Sequence, residues 1–471
     1  MPVSRDTAPE PHSAGSPDNA DTVSQNGTSP QRDQSPLAST SVQTSAEPVW
    51  IKPGSAEFRR ISIALFLAGY ATFSLIYCVQ PLLPELANHF AVGPAESSLA
   101  LSLTTGFLAF AILLAGAVSE AAGRKQLMLV SMCVASILNL IAPFLSDWHA
   151  FLVVRALEGL ILGGVPAVAM AYLAEEIDPK GLGMAMGIYI SGTAIGGLSG
   201  RVVIGFLTDL FGWHVALGAM GALGLFAALG FAVLLPASRN FVRRPGFQVR
   251  YHLRAWSGHL THAGLPFVFL IGAFAMGCFV TIFNYVGFRL SDAPYGLSQS
   301  QIGLIFVVYL CGSVTSSIAG ALSDKLGRGP VLVVGLFLAG LGVALTIMDS
   351  LIGIIGGIVI LTSGFFVAHS IASGWVGRLA NGAKGHASSL YLLAYYLGSS
   401  IMGSAGGWFW AQGGWNAVAG FAGTLLVCAL LCGLYLWRLV SIAEQVTISS
   451  QIEQDAGELQ GELADARQGS L

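Results

Sequence analysis

Twelve apolar runs of about 20 residues, set apart by short polar breaks, constrain this chain more than any other feature. A helix of that length crosses the roughly 30 Å hydrocarbon core of a bilayer. In lipid every backbone N–H and C=O must find its partner within the protein, so runs of this kind read as helices. They lie near 61–84, 97–118, 127–145, 149–172, 183–207 and 213–235, then near 264–287, 301–322, 330–348, 351–372, 387–408 and 416–438. Only 10% of the 471 residues are charged and 54% are hydrophobic, whereas soluble domains carry roughly a quarter charged residues. The expected fold is an all-α membrane protein with twelve transmembrane helices in two six-helix bundles. Gly192, Gly196 and Gly200 recur every four residues, as do Gly403 and Gly407. Each set marks one helix face for close packing rather than chemistry.

Composition divides the rest of the chain. Residues 1–58 are rich in Ser, Pro, Asp, Gln and Thr without an apolar run, so they cannot bury enough surface to fold and a disordered tail is expected. The first apolar segment follows Arg59 and Arg60 and is too long for a cleavable leader, so it should remain as an anchor. One bundle is expected over 59–235, a basic linker over 236–262, a second bundle over 263–440 and an acidic tail over 441–471.

Lys and Arg fix the expected orientation, because positively charged loops stay cytoplasmic. Alternate breaks carry Arg124 and Lys125, then Lys180, then Arg239, Arg243, Arg244, Arg250 and Arg254, then Lys325 and Arg328, then Arg378 and Lys384. The other breaks carry Arg289 and little else. Both termini should therefore face the cytoplasm of a bacterial inner membrane, with Trp148, Trp213, Trp408, Trp410 and Trp415 gathered near the outer ends as an aromatic belt.

Several function classes drop out. Neither a phosphate-binding loop, nor a nucleophile elbow, nor a paired-histidine zinc motif occurs in the sequence. The six cysteines all fall inside apolar runs, without the His or carboxylate neighbours that a metal needs. His259 and His262, in the basic linker, read as solvated or lipid-facing. No enzyme, metal or cofactor is expected, and no nucleic-acid partner, because topology accounts for the basic residues and the net charge is −3. The expected partners are the lipid bilayer and a small-molecule substrate, with the chain acting as a monomer.

The chain also repeats itself. Gly116, Ser119, Gly123 and Arg124 recur as Gly320, Ser323, Gly327 and Arg328, a constant shift of 320 − 116 = 204 positions. The same shift places Glu120 on Asp324, Lys180-Gly181 on Lys384-Gly385, Gln80 on Asn284 and Glu85 on Arg289. Two related halves joined by a long linker describe a carrier whose site lies between pseudo-symmetric bundles.

The stretch "GAVSEAAGRK" and its second copy "GALSDKLGRG" resemble the loop signature of the major facilitator superfamily of secondary transporters, with Glu120 in the usual Asp position and Gly329 in place of the last base. The resemblance covers residues from about 60 to 440. It implies a cytoplasmic latch made by Gly116, Glu120, Gly123, Arg124 and Lys125 together with Gly320, Asp324, Gly327 and Arg328. There charge-assisted bonds would clamp the halves while that side is closed. A positive anchor with a tight Gly turn is the alternative.

Ionisable groups within the membrane are costly, and are usually either paired or functional. Arg155 and Glu158 in "FLVVRALEGLILGG" stand three residues apart on one helix face. They match the family's helix 4 motif, with Glu158 in a position that often holds Gln. In the drug:proton branch the matching arginine is tied to proton movement, which implies that this pair couples transport to protons. Burial and the neighbouring cation pull the titration of Glu158 in opposite directions. A static, self-neutralising pair stands beside that reading. Arg201 has no counterpart in the second half and suits an anionic substrate, a bond to Glu158, or a snorkel to the outer surface. Glu85 and Arg289 suggest a salt bridge at the outer rim. Tyr77, Gln80 and Asn284 are expected to line the central cavity with Arg201, and Tyr395 and Tyr396 to add an apolar wall.

The resulting expectation is a carrier moving a small organic molecule by alternating access, driven by the proton gradient in the direction of efflux. Uptake of a metabolite, with Arg201 reading an anion, is the alternative within transport. A non-transporting sensor on a carrier fold is the alternative outside it.

Overall fold

The computed structural model describes residues 50–241, 249–380 and 382–468. In chain order the helices are α1 (Ala56–Tyr77), α2 (Leu83–Phe90), α3 (Pro94–Ala122), α4 (Arg124–Ile141), α5 (Trp148–Leu162), α6 (Gly164–Glu176) and α7 (Pro179–Leu234). They continue as α8 (Val249–Leu260), α9 (Leu265–Ser291), α10 (Gln299–Ile305), α11 (Tyr309–Leu326), α12 (Arg328–Leu345), α13 (Leu351–Leu379) and α14 (Lys384–Gln468). Among the described residues ten helical stretches are long and apolar enough to cross a membrane, and two of them, Pro179–Leu234 and Lys384–Ile442, run to 56 and 59 residues. A straight helix of 56 residues would reach roughly 84 Å at about 1.5 Å per residue, nearly three times the hydrocarbon core.

Each of the two long stretches is therefore a pair of passes, and the contacts show the turn. Along α7, Gly192, Gly196 and Gly200 press on α1 at Phe66, Tyr70 and Ser74, where any Cβ would fall within 3.0 Å of backbone atoms. Further on, Gly224 meets Leu75 and Gly230 meets Leu67, so the chain has reversed along the same helix. The reversal occurs at Gly212, whose φ of 81° is open to glycine at no Cβ cost. In α14, Gly398 packs on Ala273 and Gly406 on Tyr285 of α9, and after Gly413 and Gly414 the ring of Tyr435 returns to Phe267, 4.5 Å between centroids. The twelve expected passes are present, but the breaks after the fifth and eleventh are glycine turns rather than polar loops.

The duplication is visible in the backbone. Gly123 joins α3 to α4 at φ 93°, and Gly327 joins α11 to α12 at φ 84°. Large apolar side chains such as Phe226, Val233 and Ile352 stand 73%, 77% and 87% exposed, a surface that only lipid would cover favourably.

Two boundaries differ from expectation. The disordered tail expected over 1–58 overlaps structured chain: Ile51 N donates to the Glu176 carbonyl at 2.9 Å, Asp178 N donates to the Ile51 carbonyl at 3.1 Å, and Ser55 caps α1. These bonds, together with the buried side chains of Ile51 and Phe58, tie 50–58 to the end of α6. Residues 1–49 lie outside the described residues. At the other terminus α14 continues through 441–468 as helix.

Candidate transport cavity and its seal

The passes from the two halves meet tightly at one end of the bundle and separate at the other. The tight end is opposite the one that carries Arg124, Lys125, Lys325 and Arg328, hereafter the basic end. In the tight region Arg201 donates through Nε to Gln80 Oε1 at 2.7 Å, and Gln80 Nε2 donates to Asn284 Oδ1 at 2.8 Å. Gln80 and Asn284 are the two copies of one position, 204 residues apart, and they touch as symmetry mates do only on the axis that relates them. All three side chains are at most 3% exposed.

Arg201 has no carboxylate partner among the described residues. Its guanidinium donates to the Gly197 carbonyl at 2.7 Å and lies over the rings of Tyr77, Phe306 and Tyr309, with centroids 4.1, 5.0 and 4.9 Å away. Such rings compensate a desolvated cation in part. Neither the bond to Glu158 nor the snorkel to the outer surface is formed, because Arg201 turns inward at the junction of the halves. Arg201, Gln80 and Asn284 thus form a seal instead of lining the cavity, and Tyr77, packed against Arg201, is not among the lining residues either. Around them Ser400 Oγ donates to the Ser102 carbonyl at 2.6 Å, and the Asp209 carboxylate accepts from the backbone N–H groups of Gln299 and Ser300 at 3.1 and 2.9 Å. These bonds join passes two and eleven, and five and eight, at the same end.

Below the seal a cavity of 810 Å³ runs from Phe73 at mid-depth to Arg124, Trp256 and His386 at the basic end. Tyr395 and Tyr396 line it as expected. His369, Tyr391, Tyr189 and the linker residue His252 also line it, outside the expected set. The signal for His369 was present in the sequence as a lone ionisable residue inside the tenth apolar run.

Arg155 and Glu158 form a separate site within the first half. Both are fully buried and directly bonded to each other. Arg155 also donates to Asn139 Oδ1 at 3.3 Å and to the carbonyls of Ala100 at 3.1 Å and Ile76 at 3.0 Å, so one guanidinium ties together passes one, two, three and four. Glu158 Oε1 has no hydrogen-bond partner. Neither residue lines the cavity.

The residues of the expected latch fall in part outside the described ones. Arg124 bonds Glu175 at 2.6 and 3.2 Å within its own half, and Lys125 donates to the carbonyls of Ala232 and Leu235 at the end of α7. Asp324 is exposed, and neither it nor Arg328 forms an ion pair among the described residues. A clamp across the halves is incompatible with a cavity standing open between them at that end. Gly116 and Glu120 lie within 116–122, whose side chains are outside the described residues. Gly320 has open space about it and is free of close contact.

The outer-rim bridge between Glu85 and Arg289 is absent too. Arg289 instead donates to the carbonyls of Thr346 and Met348, just past the end of α12, where a cation is favoured by the helix dipole. Of the linker histidines His259 is buried and His262 half-buried. His259 is 8% exposed with its ring nitrogen 3.3 Å from the Ala383 carbonyl, and His262 Nδ1 accepts from the Gly264 N–H at the start of α9.

Comparison with known proteins agrees with this geometry. The family model described as Major Facilitator Superfamily matches residues 61–293 and 290–460. The chain is 45% identical to the inner membrane transport protein YnfM of Escherichia coli (strain K12), over 86% of this chain and 97% of that one. It is 42% identical to the MFS-type transporter YybF of Bacillus subtilis (strain 168), over 84% and 98%. Among solved structures, a POT family transporter in complex with 5-aminolevulinic acid superposes with a TM-score of 0.69 at 11% identity, covering 81% of this chain and 96% of that one.

Proposed function

The chain belongs to the major facilitator superfamily, and on that premise we propose that this multi-pass inner-membrane transporter moves a small organic molecule by alternating access, coupled to protons, with export as the favoured direction. The asymmetry of the two ends carries the reading: buried side chains join the halves at one end, and a cavity of 810 Å³ separates them toward the other. The positive-inside rule assigns the basic end, and with it both termini, to the cytoplasm. The conformation is then inward-facing, the state in which a cytoplasmic latch would be open.

Proton coupling is assigned to Glu158 with Arg155. The guanidinium holds the carbonyl of Ile76, four residues before Gln80 in the seal. Opening the seal moves that end of α1, shifts the carbonyl that Arg155 binds, and gives Glu158 Oε1 access to a proton. Uptake of an anion is the second reading, favoured because among the described residues the cavity lining contains no Asp or Glu and Arg201 stands above it without a carboxylate.

Inverted vesicles carrying a pH-sensitive dye test these readings with cationic, neutral and anionic compounds. Dissipation of the gradient by particular compounds is the expected result. Accumulation of anions into right-side-out vesicles, with no effect in inverted ones, would select uptake. If no compound moves in either orientation, the non-transporting sensor replaces both. In the same assay Arg124→Gln and Glu175→Gln should each slow turnover by roughly tenfold, the effect of about 1.4 kcal/mol. The double variant should be slowed by less than the product of the two single effects, because the same ion pair is lost in every case. Additive effects would show that the two residues act separately.

A further inference from the structure

The cavity has a chemical polarity that narrows what it can hold. Among the described residues its lining contains four basic groups, Arg124, which is paired with Glu175, and His252, His369 and His386, and no Asp or Glu. Three of these stand toward the basic end. His369 alone lies deep, between aromatic rings on α13 and α14: Phe365 stacks on it with centroids 5.8 Å apart and planes at 9°, and Tyr395 lies 4.7 Å away.

From this arrangement we infer that the cavity takes a flat aromatic carboxylate and that His369 is the residue that receives the carboxylate. The inference rests on the transport reading above and names the substrate class for that cavity. His369 Nδ1 is 2.9 Å from the Tyr391 hydroxyl. Among the described residues Tyr391 has no other hydrogen-bond partner, so the one arrangement that gives its O–H proton a protein acceptor is donation to Nδ1. A neutral imidazole that accepts at one nitrogen carries its hydrogen on the other. Nε2–H is therefore a donor, and among the described residues no acceptor is bonded to it.

A donor with no protein partner in an aromatic niche selects an acceptor, and an anionic acceptor most strongly, since hydrogen bonds to charged groups exceed neutral ones. The wider field has the same sign. Arg201 lies directly behind Tyr77, buried and without a carboxylate, and in a low-dielectric region such a charge acts over many ångströms. A ring system is selected by Tyr395 and Tyr396, whose faces and edges reward offset or edge-on contact with another π surface. A lipophilic cation finds no carboxylate among the described lining residues.

Purified full-length protein in detergent provides the test, with quenching of intrinsic tryptophan fluorescence as the readout and 2-naphthoate as the probe. The controls are 2-naphthamide, decalin-2-carboxylate and trimethyl(2-naphthyl)ammonium. Naphthoate should bind at least about tenfold more tightly than any of the three, in line with one charge-assisted bond. His369→Leu should weaken naphthoate by about ten- to a hundredfold and leave the amide unchanged. His369→Gln, which keeps a donor, should retain part of the affinity. Tyr391→Phe should fall between, because it releases Nδ1 and with it the tautomer. A cation that binds more tightly than naphthoate would overturn the inference. So would absence of naphthoate binding to protein with a normal melting transition, or unchanged affinity in a folded His369→Leu. Counterflow in proteoliposomes separates the two levels. Transport of other compounds with no naphthoate binding removes the substrate class and leaves the carrier standing. Naphthoate binding with no counterflow of any compound keeps the site and removes the carrier.

Discussion

Glu158→Gln should destabilise the protein by about 3 kcal/mol or more, because it leaves the Arg155 guanidinium buried without its counter-charge. Both side chains are fully buried, and Arg155 is held by carbonyls on passes one and two, so it cannot swing out to solvent. The single variant should therefore melt earlier in detergent and reach lower abundance in the membrane. Replacing both residues, as Arg155→Met with Glu158→Met, removes the charges together. Apolar side chains of similar size in place of a buried pair are commonly neutral or stabilising. The double variant should regain most of the lost melting temperature. Proton coupling should be absent from both variants if Glu158 carries the proton. A double variant that is stable and still coupled would show the pair to be a structural clamp, and the proton would then travel through another group.

The second large effect is expected at the seal. Gly205, on the fifth pass, faces the Gln299 carbonyl on the eighth so closely that an added Cβ would fall within 3.0 Å of it. Gly303 makes the reciprocal approach, with its would-be Cβ 3.0 Å from the Arg201 carbonyl. Leucine at 205 would hold these passes apart, and the outer end could not close. Transport in Gly205→Leu should fall by at least about tenfold, a cost of about 1.4 kcal/mol or more in the closed state. The fold should survive, since the wedge acts between the halves rather than within either. Ser102 is 2% exposed beside the seal. Ser102→Cys, in a background with the six native cysteines replaced, should stay silent to an impermeant reagent added outside and become reactive when combined with Gly205→Leu. Normal transport and continued silence in the combined variant would mean that the seal tolerates separation, and that the inward-facing state is held elsewhere.

Much of this architecture was legible in the residues. Twelve passes, the duplicated halves and the arginine–glutamate pair at 155 and 158 all follow from local pattern, since lipid demands an apolar run of fixed length and residues three apart share a helix face. The glycine spacing at 192, 196 and 200 marked the face that meets α1 for the same reason. Gln80 and Asn284 were legible as symmetry mates, although not as the seal itself.

Other assignments failed because they depend on how one helix is rotated against another. The charge sequence offered Arg289 to Glu85, but the end of α12 offered carbonyls nearer at hand. Arg124 bonds Glu175 on its own side, a partner that no local spacing indicates. His369 remained unremarked because its significance lies in Tyr391, 22 residues away, which occupies its other nitrogen.

What the sequence by itself determined is the set of elements: where each pass begins, that the halves are copies, and which few polar groups enter the membrane. Those features follow from interactions within a turn or two of helix, where spacing alone fixes neighbours. Tertiary structure alone decided which polar groups meet. Arg201 and Gln80 are 121 positions apart and Gln80 and Asn284 are 204 apart, and a bond between groups so distant in the chain exists only once packing has set the depth and rotation of every helix between them.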